Sequence, residues 1–169
     1  MSSWERDIDE FLSQEKKELE AESVRKAADL HRRNDEAALA AHNDELARGY
    51  VGGTIRPALD GLRKKLDDQA GRSVKVTEYG HGGYGLAIDI TGPGEVEFKY
   101  IVSVRPGDLS VVGQWTFTGW QGRRHGPKSE ELANRDFETT IAAVTEDDIV
   151  GHAWRAYTSE LKASTTSAK

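Results

Sequence analysis

The first 48 residues constrain the fold most, because they contain neither proline nor glycine. Glutamate, alanine, lysine, arginine and leucine dominate this stretch, and all of them favour the α-helix. The capping-box spacing of Ser2 and Glu5 predicts where the helix begins, and Gly49 predicts where it ends. At ~1.5 Å per residue such a helix is on the order of 65 to 70 Å long, more than twice the diameter of a small domain. Much of it must therefore project into solvent or pair with another surface.

The first three turns of this helix carry an apolar stripe, which we take as the candidate interface. Its members are Trp4, Ile8, Phe11 and Leu12. Farther along, Lys26 and Arg33 fall at positions that a heptad repeat through Leu12 would need to be apolar, so the coiled-coil pattern is weak. Two interpretations stay open: the helix packs on its own domain through a narrow alanine-rich stripe, or it mediates self-association, most simply as a dimer.

The middle of the chain predicts a second helix and then an antiparallel sheet. Pro57 and leucines at three- and four-residue spacing predict the helix over 54–69. Four runs then alternate apolar and polar residues, with glycine- or proline-containing turns between them. The runs cover 74–76, 84–90, 96–104 and 111–117. They predict a four-stranded meander with one apolar and one polar face, and the alternation of Phe137, Thr139 and Ile141 predicts a fifth strand.

The C-terminal part predicts a third long helix. Thr145 and Asp148 form a capping box that predicts its start. Its apolar stripe, expected to pack on the apolar sheet face, comprises Ile149, Ala153, Trp154, Tyr157 and Leu161. The small polar residues of 163–169 predict a disordered tail. The expected fold class is therefore α+β, with a charged helical arm over 1–49, an α+β domain over 50–162 and the tail.

Composition argues against several classes of protein. The 169 residues carry a formal net charge of −6, and of the segments 1–49, 50–72, 73–119, 120–128 and 129–169 only 120–128 is purely basic, which disfavours nucleic-acid binding. No apolar run approaches the ~18 residues that a membrane-spanning helix needs. The start of the chain lacks the pattern of a secretory signal, so we expect a cytoplasmic protein. The absence of cysteine removes disulfides, thiolate metal sites and cysteine nucleophiles, and it fits a reducing compartment.

The segment Trp120–Lys128 is the candidate for ligand binding, because it joins cations to an aromatic ring on a glycine-containing loop. Guanidinium groups can bind phosphate or carboxylate, and an indole ring can stack on a base. The candidate anion-binding residues are Trp120, Arg123, Arg124, His125 and Lys128. The competing interpretation is a solvated loop whose arginines pair with Glu130, Glu131 or the acidic N-terminal helix.

No residue pattern identifies an enzyme. Residues 80–85 match G-x-G-x-x-G, but a strand rather than a helix follows, which favours a hairpin turn over a nucleotide site. The five histidines lack metal-binding spacing, and no G-x-S-x-G motif occurs. We therefore expect no cofactor and no metal. If the protein has a small acid/base site, His81 and His125 are its first candidates.

These observations favour a non-enzymatic interaction or assembly protein that self-associates through its N-terminal helix, since large aromatics on a charged helix are enriched at interfaces. A protein partner other than a second copy also stays open. The alternative function is an anion- or nucleotide-binding module that uses the Trp120–Lys128 segment.

Overall fold

A computed structural model describes residues 3–67, 69, 71–119 and 122–166. Ser2, the predicted helix cap, and Trp120, a candidate anion-binding residue, lie outside the described residues. The chain divides between His42 and Asn43 into two compact units. We call residues 3–42 the arm and residues 43–166 the body.

The predicted α+β class is confirmed. Among the described residues, the elements in chain order are helix α1 (Ser3–Tyr50), a π-helical turn (Val51–Ile55), helix α2 (Arg56–Asp67), strands β1 (Ser73–Glu78), β2 (Gly85–Gly92), β3 (Val96–Val104), β4 (Val111–Thr118) and β5 (Arg124–Glu131), and helix α3 (Glu146–Thr166). The long first helix, the second helix, the antiparallel sheet and the C-terminal helix all occur in the predicted order. Within the part of the chain that the structure describes, no helix combines the length and the apolar character needed to cross a membrane.

The arm is helical along its whole described length. Ion pairs between neighbouring turns support it: Lys26 lies 2.7 Å from Glu22, and Arg32 lies 3.2 Å from Asp29. Such exposed pairs contribute only about 0.2–0.5 kcal/mol each, so the helix depends chiefly on its composition of strong helix formers.

In the body, α1 does not end at Gly49, as the sequence predicted. Instead the chain stays helical through the π-helical turn and into α2. The Tyr50 hydroxyl donates a hydrogen bond to the Val144 carbonyl at 2.8 Å, which ties this segment to the start of α3. The side chains on one face of this segment, which follow one another every four residues, are buried: Ala47, Val51 and Ile55. Packing of that face outweighs the low helix propensity of the glycines at 49, 52 and 53.

The sheet is a meander, because its strand order β1-β2-β3-β4-β5 is also the chain order. Every neighbouring pair is antiparallel, and Tyr100 of β3 stands opposite Ile88 and Trp115. Side chains along β3 alternate between buried and solvent-facing positions, so the predicted division into an apolar and a polar face is confirmed. Helices α2 and α3 contact each other and cover the apolar face, α2 over β1 and β2 and α3 over β3 and β4.

The predicted location of the fifth strand is wrong. Strand β5 is Arg124–Glu131 and begins inside the segment Trp120–Lys128, which the sequence assigned to a loop, whereas 137–141 forms no strand. The Asn134 side chain accepts hydrogen bonds from the backbone amides of Asp136 and Glu138, and Phe137 has a positive φ of 63°. This local turn competes with extended pairing. A single bridge, between Thr140 and Ser110, joins the segment to the chain before β4.

Helix α3 begins as predicted but differs in its packing and its end. The Asp148 carboxylate accepts from the Thr145 amide at 2.9 Å, which confirms the capping box. Trp154, predicted in the core-facing stripe, is 44% exposed. Ile149, Ala153 and Tyr157 of the predicted stripe are buried, and the buried face also includes His152, Ala156 and Glu160. The helix continues through 163–166, so these residues are helical rather than part of a disordered tail, and 167–169 lie outside the described residues.

Candidate functional site

Strand β5 directs its cations to both sides of the sheet. His125 is paired in register with Phe117, and Lys128 with Trp115, so both stand on the face that α3 covers. Arg124 stands opposite Thr118, on the polar face. The register shifts between Trp115 and Phe117, and this irregularity returns Lys128 to the same side as His125. The candidate anion-binding residues are therefore not on one surface.

Glu160 of α3 is the centre of a buried polar cluster. The Trp115 indole donates to its Oε1 at 3.1 Å, His125 Nδ1 lies 3.1 Å from Oε2, and the Lys128 ammonium donates to Oε1. The glutamate is only 3% exposed, so the three partners replace water around the carboxylate. We call these four residues the Glu160 cluster.

The Glu160 cluster keeps the carboxylate ionised. Burial raises the pKa of Glu160, but the hydrogen bonds from Lys128, His125 and Trp115 together lower it by more, so the net shift is downward. The carboxylate is thus an internal anion that already holds His125 and Lys128. Of the candidate anion-binding residues, Arg123, Arg124 and Lys128 are exposed, and of these Lys128 is already paired with the Glu160 carboxylate.

A second buried network surrounds His152. Tyr100 Oη lies 2.9 Å from His152 Nδ1, and Glu130 Oε2 lies 3.1 Å from Nε2. A neutral imidazole with its proton on Nε2 satisfies both contacts, since it accepts from the tyrosine and donates to the glutamate. A side chain at position 113 would collide with this network: a Cβ on Gly113 would lie 2.7 Å from the Tyr100 hydroxyl.

Burial lowers the pKa of His152, more than the nearby Glu130 raises it. The rings of Tyr100 and Trp115 pack against the imidazole, with centroids 5.7 and 5.5 Å away. His152 is 9% exposed and enclosed by side chains, an arrangement suited to a structural hydrogen-bond bridge between α3 and the sheet.

The polar face of the sheet carries a shallow groove of about 580 Å³. Asp89, Lys99, Thr116 and Arg124 contribute to its lining. Lys99 Nζ lies 3.6 Å from the Asp89 carboxylate, so this cation already has a partner of opposite charge. The groove thus presents mixed charges on an open sheet face, and its geometry selects no ligand class.

The candidate interface residues on the arm are all solvent-exposed. Trp4 is 61% exposed, Ile8 49%, Phe11 68% and Leu12 53%. We call this set the N-terminal stripe. Carboxylates flank Phe11, and they belong to Asp7, Glu10, Glu15 and Glu18. The stripe is therefore an apolar surface with an acidic border.

A groove of about 470 Å³ lies on the body between α2 and α3, and we call it the α2–α3 groove. Its apolar lining includes Leu62, Leu66, Val150 and the exposed ring of Trp154. Lys65 and Arg72 also line it, while its described lining contains no carboxylate. The groove is therefore an apolar surface with a basic border.

The remaining sequence candidates stay apart. His81 is exposed in the loop that joins β1 to β2, where Gly80, Gly82 and Gly83 have positive φ, and this hairpin was predicted in place of a nucleotide loop. Within the described residues, no three His, Asp or Glu side chains are arranged to hold a metal ion.

Sequence reasoning missed Glu160, although a signal was present. Glu160 follows Ala153 by seven residues and Tyr157 by three, so a helical wheel places it on the buried side of α3.

No family model, curated protein or solved structure matches this chain.

Proposed function

We propose that this protein is a non-enzymatic cytoplasmic interaction protein that self-associates through its arm, with a dimer as the simplest product. One observation carries the proposal: the N-terminal stripe exposes Trp4 and Phe11 in the most acidic part of the arm, where 4–23 contains eight acidic and three basic side chains. Contiguous exposed aromatic and aliphatic side chains are typical of protein interfaces and unfavourable on solvated surfaces.

The energetics support burial of the stripe by a partner. Removing one large apolar side chain from water contributes about 1.5–3 kcal/mol, and the stripe has four. Most helices in proteins also depend on packing of an apolar face rather than on propensity alone. An association that covers the stripe would therefore stabilise both the complex and the first turns of α1.

Charge distribution favours a second copy as the partner. Residues 4–23 contain eight acidic and three basic side chains, a net charge of −5, whereas the α2–α3 groove has a basic border. One chain thus provides both an acidic apolar helix and a basic apolar surface. Opposite charges steer association and suppress wrong partners.

Sedimentation equilibrium of the full chain tests the proposal. We expect a mass of about twice 18.7 kDa at micromolar concentration, and a dissociation constant at least tenfold higher for Phe11→Glu. Ser13→Glu is the matched control, because it adds the same charge about 160° around the helix from Phe11, at about 100° per residue. Glutamate is a good helix former, so neither change should melt the helix.

A wild-type chain that is monomeric across the concentration range would overturn the proposal. So would equal dissociation constants for Phe11→Glu and Ser13→Glu, because the charge alone, and not the stripe, would then be responsible. Circular dichroism of each variant should show unchanged helix content.

A further inference from the structure

We infer that the α2–α3 groove is the surface on which the N-terminal stripe of a second copy docks. The inference rests on the proposed function, because it names the receptor for the arm. The arm of one copy enters the groove of the other copy, and the two arms do not pair with each other.

The shapes of the two surfaces match a recurrent mode of recognition. Trp4, Ile8 and Phe11 follow one another at i, i+4 and i+7, the spacing by which an amphipathic helix places its anchors in an apolar groove. The α2–α3 groove has a volume of about 470 Å³, within the range of well-formed binding pockets. Its apolar floor is formed by Leu62 and Leu66, which the body already holds in place.

The charges at the borders are complementary. Asp7, Glu10 and further carboxylates border Phe11 on the arm. Lys65 and Arg72 line the groove, and the Arg155 guanidinium lies beside it, since it would be 3.6 Å from a Cβ on Gly151. Two arms brought together along their stripes would instead place acidic borders against each other, which is unfavourable. The charges therefore favour the groove over a second arm.

A glycine of α3 leaves room in the groove for a close approach. Gly151 lines the groove, and apart from the Arg155 guanidinium its missing Cβ would meet open space. Glycine destabilises a helix interior relative to alanine, and a helix seated in the groove would use the space that Gly151 leaves.

Complementation between two defective full-length variants tests the inference. Phe11→Glu disables the arm and keeps the groove, whereas Gly151→Leu fills the groove and keeps the arm. If each arm enters the partner's groove, each variant alone should dissociate at least tenfold more readily than wild type. An equimolar mixture should then form a one-to-one heterodimer, because one intact arm and one intact groove remain.

Lys65→Glu provides a second groove variant that leaves the apolar packing untouched. We expect its dissociation constant to rise about three- to tenfold. Lys99→Glu on the polar sheet face is the matched control and should leave the constant unchanged.

The outcomes separate the inference from the proposed function. If Phe11→Glu is monomeric while Gly151→Leu and Lys65→Glu associate like wild type, the arm pairs elsewhere and the inference is wrong, but self-association through the arm stands. If the mixture of Phe11→Glu and Gly151→Leu stays monomeric, arm-in-groove pairing is overturned. If wild type is itself monomeric, the proposed function fails and the inference fails with it.

Discussion

The arm and the body place their large apolar side chains in opposite environments. In the arm, Leu19, Val24 and Leu30 are each more than 60% exposed. In the body, Phe98 and Tyr157 are at most 2% exposed, and their rings contact each other with centroids 5.2 Å apart. The body is thus a folded unit with its own core, whereas the arm is a helix that exposes its large apolar side chains to solvent.

This difference shows that secondary structure and tertiary burial are separate consequences of one sequence. Composition without glycine or proline suffices to make the arm helical. The π-helical turn in the body contains Gly52 and Gly53 and is nevertheless helical, because Val51 and Ile55 are buried there. Propensity dominates where packing is absent, and packing dominates where it is present.

The largest expected effect is a loss of stability in the body that has no counterpart in the arm. Phe98→Ala should lower the free energy of unfolding by about 3–5 kcal/mol, because it leaves a cavity in the core. Leu30→Ala in the arm removes an exposed side chain and should change the free energy of unfolding by about 0.5 kcal/mol or less. Urea denaturation followed by tryptophan fluorescence measures both. Equal losses for the two variants would show that the arm is as well packed as the body.

A smaller effect is expected at the Glu160 cluster. Lys128→Met should lower the free energy of unfolding by about 1–2 kcal/mol, because a buried carboxylate loses one of its hydrogen-bond donors. Lys99→Met, which breaks the exposed pair with Asp89 on the other face, is the matched control and should cost about 0.5 kcal/mol or less. A smaller loss for Lys128→Met than for Lys99→Met would contradict the role given to Glu160.

The smallest expected effect is a dependence of folding stability on pH, which arises from a histidine of the body. Burial lowers the pKa of His152 below its ordinary value of about 6.5, so the unfolded chain binds a proton more readily than the folded one. Stability should therefore fall as the pH drops below about 6.5, by at most about 1.4 kcal/mol per pH unit, until the folded histidine is protonated too. Denaturation between pH 8 and pH 5 measures the slope.

His152→Gln should flatten this slope above pH 5, and an unchanged slope would assign the effect to another group.

Glu160 affects stability in a lower pH range. Its pKa is held below 4.5, so the stability that it provides is lost as the pH falls below that value.

Most of the fold was predictable because its signals are local. The alternation in 84–90, 96–104 and 111–117 predicted three strands, since one face of each is apolar. The Thr145 capping box predicted the start of α3 for the same reason. These patterns depend on residues a few positions apart, and tertiary packing agrees with them.

The fifth strand and the candidate site could not be predicted in this way. In β5 the inward positions are occupied by His125 and Lys128, so the apolar alternation that indicates a half-buried strand is missing. Their partner, Glu160, is 35 and 32 residues away along the chain. A polar contact of this range leaves no periodic pattern, whereas the apolar alternation of 137–141 predicts a strand that does not form.

The meander also determines how the body can fold. Each strand pairs with the strand before it, across connections that cover only 79–84, 93–95, 105–110 and 119–123. Closing such short loops costs little chain entropy, and hairpins form in about 1–10 μs. The hydrogen bond from Tyr50 to Val144 spans 94 residues by contrast, and α3 packs against both the sheet and α2. Docking of α3 therefore closes a far longer loop than any of the hairpins does, and its loop-closure cost is greater.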